Sequence, residues 1–193
     1  MRTNLGLKLG TLISVITLLV IYFQEPAPDK VKQQILSNTE HLLRLQELDL
    51  TEFENQLSVY TNPFSIADQS VFEKRVYING GLIYWNDNSY LPEYSSLKKS
   101  DTLYMLEDDF GLKIVRRHEV VADRDLIEIF SVIPVSFNPP VSNQYLRYEL
   151  NDAIFEDYLV DLNPRGDYTI QYGRVPLFRM NIAGQSQLDQ EWM

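Results

Sequence analysis

Apolar positions change their spacing along the chain, and each change predicts an element. From Leu5 to Phe23 the residues LGLKLGTLISVITLLVIYF carry one charge, Lys8. At about 1.5 Å per residue the stretch is about 28 Å long, close to the roughly 30 Å hydrocarbon core of a bilayer. It reads as a transmembrane helix whose Lys8 snorkels to the headgroups. After Pro26-Ala27-Pro28 the spacing becomes that of an amphipathic helix capped by Asp29. Val31, Ile35, Leu42 and Leu45, with Leu43 and Leu48 beside them, recur at three, four and seven. That is one apolar stripe on a polar rod, a stalk. Thr51 and Glu54 form a capping box that starts a second stalk helix, with Phe53, Leu57 and Tyr60 as its inner face, and Asn62-Pro63 ends it.

From Val71 the period falls to two. Val71 to Ile78 and Leu82 to Trp85 flank Asn79-Gly80-Gly81, a hairpin whose Asn-Gly pair tolerates the positive φ of a tight turn. Asp87-Asn88-Ser89 and Pro92 make a loop. Asp101 to Glu107, Leu112 to Val121 and Leu126 to Phe137 then follow as three antiparallel strands. The run Ile127 to Ile133 is nearly continuously apolar, which places it in the middle of the sheet with both faces covered. Beyond Asn138-Pro139-Pro140, Gln144 to Leu150 and Asp152 to Leu159 are short helical or mixed segments. Tyr168 to Tyr172 and Val175 to Ile182 are extended. The fold class is α+β: a transmembrane helix and stalk, then a mainly antiparallel sheet with flanking helices. The boundaries fall at 1–4 for a cytoplasmic N-terminus, 5–23 for the membrane helix, 24–61 for the stalk helices and 62–193 for the α+β domain.

Charge sets the orientation and limits the partners. Arg2 and Lys8 are the charges before Gln24, so the positive-inside bias keeps the N-terminus in the cytoplasm and sends the rest across. The expected location is the inner membrane, single-pass, with the C-terminal domain in the periplasm. A cleaved secretory signal is the alternative, but the apolar run is long for one and its exit has no A-x-A pair. With Arg2 and Lys8 set aside, 15 basic and 27 acidic side chains leave the outer part at −12. Such a surface repels phosphate backbones, which argues against nucleic acid as a partner. There is no Cys, so disulfides and thiol chemistry are excluded.

Candidate chemistry is thin. His118-Glu119-Val120-Val121-Ala122 lacks the second His of a zinc-binding H-E-x-x-H helix, and Asp109-Phe110-Gly111 stands without the other kinase motifs, so a hairpin turn explains it. No metal site and no cofactor are expected. Tyr84, Trp85 and Asp87 at a strand end would make one wall of a small-molecule pocket, with Arg116 and His118 as cations for an anionic ligand. Core packing competes for the aromatics and surface pairing for the cations.

The N-terminal anchor, the exported helix, the segment Val76-Tyr77-Ile78-Asn79-Gly80-Gly81-Leu82-Ile83-Tyr84-Trp85-Asn86-Asp87-Asn88, Ile133-Pro134-Val135 and Asn143-Gln144-Tyr145-Leu146 resemble the extracytoplasmic sensor region of Bacteroidetes-type membrane histidine kinases. The resemblance implies a PAS-like or Cache-like sheet; the apolar stripe of the stalk points to pairing of two chains as a homodimer, and the expected partner is an external signal or a periplasmic protein. It brings no catalytic residue. Neither His41 nor His118 meets the phosphoacceptor pattern of His, an acidic residue and a Pro four further on, since His118-Glu119 lacks the Pro, so a kinase core is not expected in this chain. The expected function is a membrane-anchored sensory domain of a two-component receptor and not an enzyme. The alternative is an anchored periplasmic scaffold or assembly protein; a hydrolase would need a nucleophile motif that is not seen.

Overall fold

The residues expected to form two stalk helices fold as one, α1 (Pro28–Val59). The computed structural model describes residues 27–59, 71–86, 93–122, 124–139 and 148–182. No Gly or Pro interrupts α1 after its first residue. Thr51, expected as an N-cap, lies inside the helix and donates its hydroxyl to the Glu47 carbonyl at 2.9 Å. The segment from Leu5 to Phe23 lies outside the described residues. Among the described residues no helix is long and apolar enough to cross a membrane.

The buried line of α1 differs from the expected stripe. It runs through Val31, Ile35, Thr39, Leu43, Gln46, Leu50 and Phe53, at steps of three and four. Leu45 and Leu48 are 40% and 67% exposed. Two polar residues on the line disguise it: Thr39 donates to the Ile35 carbonyl at 2.7 Å, and Gln46 to the Ser131 carbonyl at 3.0 Å. The line is consumed within the chain, so Val31 and Ile35 are not available to pair two copies as the expected stalk seam would require.

The main sheet contains β1 (Glu73–Ile78), β2 (Gly81–Trp85), β3 (Leu103–Asp108), β4 (Gly111–Ala122) and β5 (Asp125–Pro134). Its order is β2-β1-β5-β4-β3, every pair antiparallel. The apolar run Ile127 to Ile133 is therefore the central strand, as its composition predicts. The Asn-Gly hairpin is present, with φ of 49° at Asn79 and 83° at Gly80. Asn79 also bridges to the β4–β5 turn, donating to Asp125 at 2.7 Å and accepting from Leu126 N–H at 3.0 Å. Asp109 and Phe110 are the turn between β3 and β4. Gly111 closes that turn at φ 121°, where a Cβ would stand 2.2 Å from the Ser136 carbonyl oxygen.

The connection from β2 to β3 contains the short helix α2 (Tyr94–Leu97). After β5 come β6 (Ser136–Phe137), β7 (Glu149–Leu150) and α3 (Asp152–Phe155), then β8 (Val160–Leu162), β9 (Tyr168–Tyr172) and β10 (Val175–Ile182). The last three form a second sheet in the order β8-β10-β9. The N-terminal half of α1 packs Val31, Ile35 and Leu43 with Ile154, Phe155, Ile170, Phe178 and Met180 from α3 and this second sheet. Its C-terminal half packs Leu50 and Phe53 on Val76, Tyr84 and Ile129 of the main sheet. The opposite face of the main sheet buries Tyr77, Tyr104, Val115, Phe130 and Val132 beneath Leu97 and Tyr94.

Candidate functional site

The residues expected to wall a pocket do not converge. Tyr84 is buried on the α1 side, its ring 5.3 Å from that of Phe53. Trp85, next along β2, points to the other face and pairs across the strands with Arg75. Asp87 lies outside the described residues. Arg116 and His118 share the α1 face of β4. Arg116 donates to Gln46 Oε1 and the Leu43 carbonyl, both at 3.3 Å, and stands 3.8 Å from Glu47. His118 Nε2 lies 2.9 Å from Glu54. Lys74 of β1, wholly buried, meets Asp49 at 2.8 Å. Three basic side chains of the sheet thus meet acidic side chains of α1, and the two expected as ligand cations are fasteners for the helix.

The other face holds a polar cluster that sequence reasoning missed. Glu128 is fully buried and accepts from Arg117 Nε at 3.1 Å and Nη2 at 2.7 Å. The Tyr94 hydroxyl also donates to Glu128, and Arg117 reaches Glu119 as well. Arg117 Nη1 donates to the Lys99 carbonyl at 2.6 Å. The Tyr104 hydroxyl donates to the Leu97 carbonyl. The cluster clasps residues 94–99 onto the sheet. Burial raises the Tyr77, Tyr94 and Tyr104 phenols above their ordinary range, and the hydrogen bond to Glu128 adds to the rise at Tyr94. A signal was present: Glu128 is the one charge in the apolar run Ile127 to Ile133, and a carboxylate in a strand covered on both faces needs a buried partner.

A cleft of about 600 Å³ opens where the two sheets meet. The β3–β4 hairpin supplies one wall, from Met105 to Leu112, and the end of β8 with β10 supplies the other, from Leu162 to Pro164 and Leu177 to Arg179. Ser136 and Tyr148 close one side. The lining is mixed: Leu112, Leu162, Leu177 and Phe178 are apolar, while Lys99, Glu107, Asp108 and Arg179 are charged. Asp108 is partly spent, its Oδ1 taking Lys113 Nζ at 2.6 Å and the Phe110 N–H at 2.9 Å.

No protein-family model, curated protein or solved structure matches the chain.

Proposed function

We propose that the chain is a membrane-anchored extracytoplasmic sensory domain of a two-component receptor, in which α1 passes the state of the sheets to the membrane. The observation that carries this reading is the double use of one helix face. Val31 and Ile35 are packed by the second sheet and Leu50 and Phe53 by the first, so a change in how the two sheets sit must be felt along α1. The apolar segment from Leu5 to Phe23 precedes that helix directly in sequence. A ligand would act by favouring one of two arrangements, since equal affinity for both shifts nothing.

Two further features support it. The order β2-β1-β5-β4-β3, with its last strand in the centre and a long N-terminal helix on one face, supports reading the sheet as PAS-like or Cache-like. The start of α1 and the end of β10 also lie side by side. Lys32 Nζ stands 5.9 Å over the Tyr168 ring, and Tyr168 pairs with Met180, two residues before the end of β10. A chain that enters and leaves a domain on one side suits a sensor held at a membrane surface.

The test is protease added to spheroplasts that make the full chain. The domain should be digested from outside. Survival in intact spheroplasts with digestion after lysis would refute the topology and the sensory reading with it.

A further inference from the structure

β3 is an edge of the main sheet, and half of its backbone groups face away from β4. The Arg117 N–H donates to the Thr102 carbonyl at 2.8 Å, and the ladder continues to the Asp108–Gly111 pair. Even-numbered residues therefore turn their amides toward β4, while Leu103, Met105 and Glu107 turn theirs outward. The Met105 carbonyl bears this out by accepting from Lys99 Nζ at 2.8 Å. Among the described residues no main-chain group pairs with this edge. Open edges of this kind recruit further strands unless they are blunted, and a lysine laid across one carbonyl is a light guard.

The cleft of about 600 Å³ lies against the same edge. A strand advances about 3.3 Å per residue, so Met105 and Glu107 offer two successive docking positions to a partner of about three to five residues. Leu112, Leu162, Leu177 and Phe178 give apolar seats; with Lys99 engaged on the Met105 carbonyl and Asp108 on Lys113, Glu107 on the β3 wall and Arg179 on the β10 wall present opposite charges. A short peptide with free termini has the matching parts: backbone donors and acceptors at the strand repeat, apolar side chains and one charge of each sign. We propose that this cleft binds a short extended peptide of apolar side chains by adding it to β3 as a further strand. The role of such a peptide as the signal rests on the sensory reading; the binding does not, and failure of the protease test would leave it untouched.

The test uses the full chain in detergent micelles, hydrogen exchange read by mass spectrometry, and millimolar probe. The probe is a mixture of tetrapeptides with Ala, Val, Leu or Phe at every position. Exchange across residues 103–107 should slow about tenfold or more, as paired edge amides do. Two versions of the mixture, N-methylated on alternate amides, separate strand addition from mere cleft filling: one version should lose the protection and the other keep it. Met105→Pro removes an outward N–H and no bond to β4, a change that an edge strand tolerates. It should weaken binding about tenfold or more with the melting midpoint held. If that variant melts early, Arg179→Glu replaces it with the same expected loss. The proposal is overturned if the mixture gives no protection, if both methylated versions protect equally, or if free leucine protects as well as the peptides.

Discussion

Replacing Glu128 by alanine should be among the most damaging single changes to this chain. Glu128 is fully buried, and it accepts from both Arg117 and Tyr94. Its loss leaves the Arg117 guanidinium, whose side chain is 11% exposed, with Glu119 and the Lys99 carbonyl alone. Breaking one side of a buried pair costs about 3–5 kcal/mol, because the remaining charge has lost its water and its partner. For a domain of this size that is a fall of about 6–20 °C in melting midpoint. Glu128→Gln keeps the volume and one acceptor oxygen, so its loss should be smaller, about 1–3 kcal/mol. The double change Arg117→Met with Glu128→Leu removes both charges, and it should cost less than Glu128→Ala alone. Circular-dichroism melts of the full chain in detergent micelles measure all three, together with the single changes Arg117→Met and Glu128→Leu. A loss under about 1 kcal/mol for Glu128→Ala, or a double change equal to the sum of its singles, would refute the clasp.

Gly111→Ala should cost about 3 kcal/mol or more, since it adds strain at a positive φ to a collision with the Ser136 carbonyl; Gly173→Ala, at φ 59° with nothing within 4 Å, should cost about 1 kcal/mol, and urea midpoints compare the two. Alkali should unfold the domain. Burial raises the Tyr77, Tyr94 and Tyr104 phenols in the folded state, so their stabilisation is intact below the unfolded value of about 10 and is lost as pH climbs toward the folded values. Tyrosinate absorbance should show these three ionising together with loss of secondary structure, and early independent ionisation would count against their burial. Single cysteines along α1 of the membrane-bound chain should cross-link between copies at the exposed positions Leu45 and Leu48 and not at Ile35 or Leu43, which the monomer buries; absence of cross-links at every position would reject a homodimer through this helix.

Strand signals survived into the structure where they were local. Asn79-Gly80 needs nothing beyond its own φ preference to turn the chain, and the three strands after it are joined by tight turns. The centrality of β5 was legible because composition reports burial on both faces. The register of α1 was not, because its inner line includes Thr39 and Gln46, whose partners are the helix itself and the Ser131 carbonyl, 85 residues away along the chain. Arg116 and His118 looked like ligand cations for the same reason: a sequence shows the charge, while Glu47 and Glu54, which meet them, lie on an element that sequence cannot orient. The clasp around Glu128 joins β4, β5 and the β2–β3 connection, and the cleft joins two sheets. Neither exists in any one segment.

The strand order also governs how this chain must be made. β5 sits between β1 and β4, and Ile78 meets Ile127 while Glu73 meets Val132. During synthesis at about 5–20 residues per second the first hairpin waits about 2–10 s for its permanent neighbour. Throughout that interval the inner edge of β1 is bare, and Val76 has no Ile129 beside it. Newly made chains should therefore be most vulnerable to aggregation, and most dependent on a holding chaperone, in the window between the emergence of β1 and that of β5.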